Sequence, residues 1–400
     1  MVSPSSTSVL TVRTLGPGEH RAFVDDLASR GGSASFLQTP GWAAVKPDWR
    51  PESIGWFDGD RLVGAGLVLY RQLPKVRRYL AYLPEGPVLD WDAAVEGGRL
   101  QAVLDPMVEH LRRQGAFGIR MGPPVVTRRW SAAQVKDGIA DASVTSLTSL
   151  PPTEQHPTGT RLTEQLRALG WRPQAVEGGF AAGQPQYNFQ VPLADASGTP
   201  LAEDDVLRGM NQLWRRNIKK AAKLGVEVRC VPGAATLDPE LEQALADFHA
   251  LYVHTAERDH FTPRPLAYFR TMVTALGADD PDRIRLYLAH HEGDLVAATI
   301  WIRVGSHAWY SYGASSTDKR EVRGSNAVQW QMVRDALAAG ARVYDLRGIT
   351  DTLTADDSHV GLIQFKVGTG GEAVELAGEW DLPLSKPIYA AFDLYMRRRG

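Results

Sequence analysis

The chain presents one succession of patterns twice, and this repetition limits the possible folds more than any other feature. In the first half, helical spacing over residues 18–29 leads to a turn and a second helical start in FLQTPGWAAVK. A hairpin pattern follows: SIGWF, the turn DGD, then LVGAGLVLYR. Leu100, Val103, Leu104, Met107, Val108 and Leu111 share one helical face. Pro106 is expected to kink that helix and Gly115 to stop it, after which AFGIRM resumes as a strand. In the second half, a helical stretch over 241–252 leads to FTPRPLAYF, then RIRLYLAHH, the turn EGD and LVAATIWIRV. A helix over 327–339 stops at Gly340, and ARVYDLRGI resumes as a strand. Phe36 corresponds to Phe261, Gly59 to Gly293 and Gly115 to Gly340, at offsets of 225, 234 and 225 residues. Agreement in order, type and offset predicts an internal duplication, each copy an α/β (α+β) unit built on a meander of antiparallel strands. The expected division is a first domain over 1–165 and a second over 166–377, with 378–400 packing back onto the first. Loops are predicted over the Ser/Thr/Pro-rich 143–159 and over 178–186.

Between the copies lies the densest cationic run of the chain. From 206 to 225 there are six cations and no acid. On a helical wheel Val206, Met210, Leu213, Trp214 and Ile218 fall on one arc, and Arg215, Arg216, Lys219 and Lys220 lie away from it or at its border. One amphipathic helix is predicted there, burying Leu213, Trp214 and Ile218. The net charge is only −2, so this positive face is segregated rather than general, and any nucleic-acid contact would be local. A single cysteine, Cys230, leaves no internal disulfide and favours a reducing cytoplasm. No apolar run approaches the roughly 20 residues needed to span a bilayer, and the N-terminus lacks the pattern of a signal peptide.

Several chemistries leave no trace. There is no Walker A loop, no GxGxxG after a strand, no GxSxG, and no Cys/His spacing suited to zinc. What stands out is a set of cations beside aromatics: Lys46 four residues after Trp42; Arg264 four before Tyr268, expected on one face of a helix beginning near Pro263; Tyr310 and Tyr312, expected on one side of a strand; and Phe365 with Lys366 after a short apolar run. Taken together, LWRRNIKKAAKLGVEV, FLQTPGWAAVK, YLPEGPVLDW, HTAERDHFTPRPLAYF, WYSYGASS, AAGARVYDLRGI and the FKVGTGGE…GEWDL ending resemble the FemABX family. Members of that family are non-ribosomal peptidyltransferases that use aminoacyl-tRNA to extend the stem peptide of peptidoglycan precursors. The resemblance runs from about Phe36 to Leu382 and implies two tandem domains of the GCN5-related N-acetyltransferase type, with mixed, largely antiparallel sheets. The long helical arm of some members is not expected, since little chain separates the basic stretch and its strand from the next helix.

The resemblance also implies roles for particular residues. Lys46, in a motif with Gln38 and Trp42, and Arg264 with Tyr268 would contact the diphosphate of a nucleotide-linked sugar-peptide. Tyr310 or Tyr312, with Tyr312 favoured, would line the channel for the acceptor peptide. Lys366 would stand near the reacting ester and stabilise the oxyanion, while Phe365 and the cations Arg215, Arg216, Lys219 and Lys220 would meet the tRNA. The implied partners are aminoacyl-tRNA and a UDP-MurNAc-pentapeptide or lipid-linked precursor, with peripheral contact at the inner membrane face. No metal or organic cofactor is implied, and a monomer is expected. Many members carry an Asp-Pro step where this chain has Gly122-Pro123, so that carboxylate is missing here. Three alternatives compete: a similar transferase acting on a secondary-metabolite peptide, an acyl-CoA-dependent N-acyltransferase, and a non-catalytic RNA-binding protein. The second would require a [Q/R]xxGx[G/A] loop, whereas REVRGSNA has Glu321 and Asn326 at the defining positions.

Overall fold

The computed structural model describes residues 9–74, 76–174, 183–354, 356, 357 and 359–397; residues 178–182 of the loop expected over 178–186 lie outside them. In the first half, Arg50–Asp58, Arg61–Gln72 and Tyr79–Leu83 form an antiparallel meander. The helix Leu100–Arg113 then crosses over, and Ala116–Met121 returns parallel to Tyr79–Leu83. The second half repeats this connectivity with Ile284–His291, Asp294–Val304 and His307–Ser315, the helix Gly324–Ala338, and Val343–Gly348 parallel to His307–Ser315. Thr11–Thr14 and Glu227–Pro232 pair antiparallel with the first strand of each meander. Beyond each parallel strand sits one antiparallel strand, Trp380–Pro383 in the first sheet and Tyr187–Pro192 in the second. The duplication is therefore one of topology as well as of pattern. Gly115 at φ 87° and Gly340 at φ 74° end the two crossing helices in the left-handed conformation, which a side chain would oppose.

Among the described residues the first sheet has seven strands and the second nine. The second continues through Glu372–Leu376 to Val126–Ser131 and Glu154–Gln155, so a strand from the first half lies in it. After Glu372–Leu376 the chain crosses back, and Trp380–Pro383 joins the first sheet. The terminal helix Lys386–Arg397 packs on the first sheet, with Tyr389 and Phe392 against Phe117. Residues 143–159 are not a plain linker: they hold a turn with Leu147 fully buried, a short strand and the start of the helix Pro157–Ala168. The short link between Glu227–Pro232 and the helix Pro239–Asp259 carries no inserted arm.

Helix Leu100–Arg113 runs through Pro106 and buries Leu100, Val103, Leu104, Met107 and Leu111 against the first sheet. A second apolar cluster belongs to both halves, joining Phe36, Trp42 and Val45 to Phe248, Phe269 and Ile300. At its edge Asp279, 1% exposed, accepts from Arg21 Nε and Nη2 at 3.1 and 2.8 Å and from the Gly41 N–H at 2.7 Å. This carboxylate fixes the first-half loop to the second-half helix Leu266–Asp279. Among the described residues no helix is long and apolar enough to cross a membrane.

The basic stretch differs from the single helix expected. It forms two helices, Glu203–Gly209 and Gln212–Lys223, because Met210 is extended and buried and Asn211 caps the second helix by accepting from the Trp214 N–H at 2.9 Å. Trp214 is buried and Ile218 half-buried as expected, but Leu213 is 53% exposed, since restarting the helix at Gln212 turns it outward.

Candidate functional site

The second sheet opens into a wedge. His307–Ser315 and Val343–Gly348 are paired only over residues 307–309 and 343–345, and beyond these the strands part. Ser311 is left over as a bulge, because Ile300 opposes Tyr312 while Trp301 opposes Tyr310. Tyr310 and Tyr312 therefore fall on opposite faces, contrary to strict alternation. Tyr310 packs in the cluster around Trp301 and Tyr344, Tyr312 in the cluster that joins Phe36 and Trp42 to Phe269.

On that shared side the first group of side chains assembles. The Tyr312 hydroxyl is 3.2 Å from that of Tyr268. Arg264 precedes the helix Leu266–Asp279 instead of lying on it, yet its guanidinium sits 5.3 Å from the Tyr268 ring centre. Lys46 Nζ lies 5.6 Å from the same ring and 5.5 Å from that of Trp42. Burial first, and then the Arg264 charge, hold the Lys46 ammonium below its ordinary pKa. Two cations thus stand beside one aromatic ring, and neither forms an ion pair with a carboxylate among the described residues, an arrangement that calls for an anion. Gln38 does not join this group. It is fully buried, donating to the Pro84 carbonyl at 2.7 Å and accepting from the Leu67 N–H at 2.9 Å, so it shapes the loop beneath.

The second group stands on the other arm of the wedge. Asp345 Oδ1 accepts from the Arg347 N–H at 2.6 Å and Oδ2 from Gln190 and His307. Arg347 adopts φ 63°, and the main chain kinks there. The kink presents two carbonyls to Lys366, on the helix Val360–Val367, whose Nζ donates to Gly348 O at 2.6 Å and Arg347 O at 3.2 Å. Lys366 is 3% exposed, and burial pulls its pKa down to about 7, with Asp345 opposing and Arg347 assisting. An ammonium has three N–H groups, so one remains for a ligand. Arg347 reaches Glu85 of the first half at 2.7 Å and lies 5.6 Å from the Phe36 ring, which in turn stands edge-on to Trp42 at 5.3 Å. Phe36 therefore bridges the two groups.

The basic helix joins this site through Trp214, which packs on Phe365 at 4.8 Å and donates to its carbonyl at 2.9 Å. Arg216, Lys219 and Lys220 are exposed; Arg215 is half-buried and donates to the Arg208 carbonyl. Glu379 packs against Gly122: a Cβ at residue 122 would meet Glu379 Cγ at 3.4 Å, the Glu85 N at 3.5 Å and Glu379 Oε1 at 3.8 Å, all ordinary contacts. That carboxyl accepts from the Tyr82 hydroxyl, and burial raises its pKa. Sequence reasoning missed Arg347, Asp345 and Glu379. The first two stand in YDLRGI, where an Asp and an Arg inside a strand pattern were the only signal, and the third in GEWDL.

A family model described as the FemAB family matches residues 15–292 and 286–397. The chain is 29% identical over 359 residues to UDP-N-acetylmuramoylpentapeptide-lysine N(6)-alanyltransferase of Weissella viridescens, a match covering 88% of this chain and 90% of that protein. It is 23% identical, over 93% of its length and 92% of the relative's, to lipid II:glycine glycyltransferase of Staphylococcus aureus (strain MRSA252). Among solved structures, that of FemX superposes with a TM-score of 0.74 over 95% of this chain and 99% of that one. Its 22% identity makes this a likeness of fold.

Proposed function

The chain belongs to the FemAB family, and on that premise we propose that it is an aminoacyltransferase of peptidoglycan interpeptide-bridge formation, moving an aminoacyl group from aminoacyl-tRNA to the amine of a precursor stem peptide. The two relatives named above are transferases of amino acids by their names, and they match nearly the whole chain. The observation that carries the reading at the site is the meeting of Lys46, Arg264, Tyr268 and Tyr312 on one arm of a wedge with Lys366 on the other.

The acceptor's diphosphate lies against Lys46 and Arg264, and its peptide passes Tyr268 and Tyr312 toward the wedge. Its amine attacks the ester carbonyl carbon: a C–N bond forms, the C–O bond to the terminal ribose breaks, the amine gives up a proton and the ribose oxygen takes one. The tetrahedral oxyanion is met by the third N–H of Lys366, held in place by two main-chain carbonyls before the reaction starts. Trp42 backs Lys46, Gln38 holds the loop at Pro84, and Phe365 with Arg215, Arg216, Lys219 and Lys220 lies toward the tRNA.

Incubation with a muramyl-pentapeptide precursor and charged tRNAs tests this: the acceptor should gain the mass of one amino-acid residue. Extension only by an acyl group from acyl-CoA would remove the proposal.

A further inference from the structure

Arg347 stands at φ 63°, a conformation that a side chain opposes, yet its carbonyl and that of Gly348 are the two that hold Lys366. Asp345 secures its main-chain N–H. Its side chain is secured separately: Nη1 donates to Glu85 Oε1 at 2.7 Å and Nη2 to Gln184 Oε1 at 3.0 Å. Glu85 belongs to the first half, just past the strand Tyr79–Leu83, and its other oxygen, Oε2, accepts from the Ser35 hydroxyl at 2.6 Å. Ser35, Glu85 and Arg347 thus form one row from the first half to the second, in which Ser35 and Glu85 are each 7% exposed.

Two features set this row apart from an ordinary tie between the halves, which the shared cluster and Asp279 already provide. The row ends on a functional segment at each side. Ser35 also accepts from the Leu37 N–H at 3.2 Å and so opens the turn Phe36–Gln38, which leads through Trp42 to Lys46, while Arg347 ends at the carbonyls around Lys366. The backbone is also held against its preference at both partners of the ion pair. Glu85 stands at φ 46° and Arg347 at φ 63°, left-handed conformations that persist in residues with side chains only where the surroundings fix them. With Glu85 bonded to its guanidinium and Asp345 close by, the Arg347 charge is met within the protein, so its side chain serves to hold the main chain rather than to receive an anion.

We infer that Glu85 is a positioning residue for the transfer: backed by Ser35, it holds the Arg347 side chain, and the left-handed main chain stays turned so that two carbonyls fix the Lys366 ammonium. Glu85 touches neither reacting atom and acts through Arg347. The inference rests on the function and the role of Lys366 proposed above, and adds that the first half sets the place of a lysine carried by the second. The segment bearing Lys46 and the ammonium of Lys366 are thereby kept at one spacing, as attack geometry requires.

Glu85→Ala, Glu85→Gln and the double variant Glu85→Ala with Arg347→Gly are compared with wild type in two measurements. In steady-state kinetics Glu85→Ala should lower kcat about ten-fold or more, while KM for the acceptor stays within about two-fold. Glu85→Gln, whose carbonyl still accepts from Arg347 and whose amide can donate to the Ser35 hydroxyl, should keep most of the rate. Adding Arg347→Gly to Glu85→Ala should recover most of the loss, because glycine takes the left-handed conformation unaided and the guanidinium left without its partner is gone. Hydrogen exchange needs no turnover: in Glu85→Ala the amides of 345–348 should exchange faster, while those of 299–302 in the strand Asp294–Val304 do not change. If wild type transfers nothing from any charged tRNA, the function proposed above fails, and faster exchange confined to 345–348 still shows Glu85 holding Arg347. Unchanged exchange at 345–348, an unchanged kcat in Glu85→Ala, or a loss of rate that tracks Tm and is not recovered by Arg347→Gly overturns the proposal.

Discussion

At the scale of the residue, the account turns on Lys366. Its pKa of about 7 means that the ammonium is lost as pH rises through neutrality, whereas in an unfolded chain it would keep its proton to about 10.5. Burying the charged form thus costs stability below pH 7, and this cost is relieved as pH rises from about 7 toward 10.5. Catalysis has the opposite sign, since the charged ammonium stabilises an oxyanion far more strongly than the neutral amine does. We predict a rate that falls above about pH 7 at saturating substrates, and a Lys366→Arg variant in which that alkaline limb is lost. Lys366→Met should lower kcat by about 10²–10³, and a kcat within two-fold of wild type would take this residue out of the reaction. Arg264→Ala should act differently, raising KM for a nucleotide-linked acceptor about ten-fold or more with little change in kcat. Lys46, Arg264, Tyr268 and Lys366 were singled out in the sequence through the family resemblance, since a cation or phenol near an aromatic is by itself ordinary. Arg347 and Glu379 were not, since a left-handed Arg347 and the approach of Glu379 to Gly122 exist only once strands from different parts of the chain are paired.

At the scale of the element, the duplicated meander and crossing helix could be read directly, because alternation, helical spacing and a stopping glycine are local properties. Junctions were less readable. The wheel drawn through 206–225 assumed one phase, but Met210 and Asn211 reset it and turned Leu213 outward. The single bulged Ser311 likewise separated Tyr310 from Tyr312. Asn211 now carries a prediction of its own: Asn211→Ala removes the cap and should lower stability by about 1 kcal/mol, seen as a fall in Tm. Lys219→Glu with Lys220→Glu should leave Tm unchanged, both side chains being exposed, while raising the apparent KM for charged tRNA and weakening its salt dependence.

At the scale of the whole molecule, the two halves act as one body because a core cluster and the Asp279 latch span them. Asp279→Ala leaves Arg21, which is part-exposed and can be solvated, and the Gly41 N–H without their acceptor, and should destabilise by about 1–2 kcal/mol in denaturant unfolding. The return of 378–400 to the first half was expected from the sequence, but that it enters the first sheet as the strand Trp380–Pro383, and that Val126–Ser131 extends the second, was not, since both depend on pairing between residues hundreds of positions apart. What this arrangement produces is a wedge with Lys46 and Arg264 on one arm and the buried Lys366 on the other, which we propose are its acceptor and donor sides. The most direct test is to give the purified protein a panel of charged tRNAs with nucleotide-linked and lipid-linked muramyl-pentapeptides and to detect products by mass. The account predicts an acceptor heavier by one amino-acid residue with at least one tRNA, abolished in Lys366→Met; no extension from any charged tRNA, together with acylation from an acyl-coenzyme A, would contradict it.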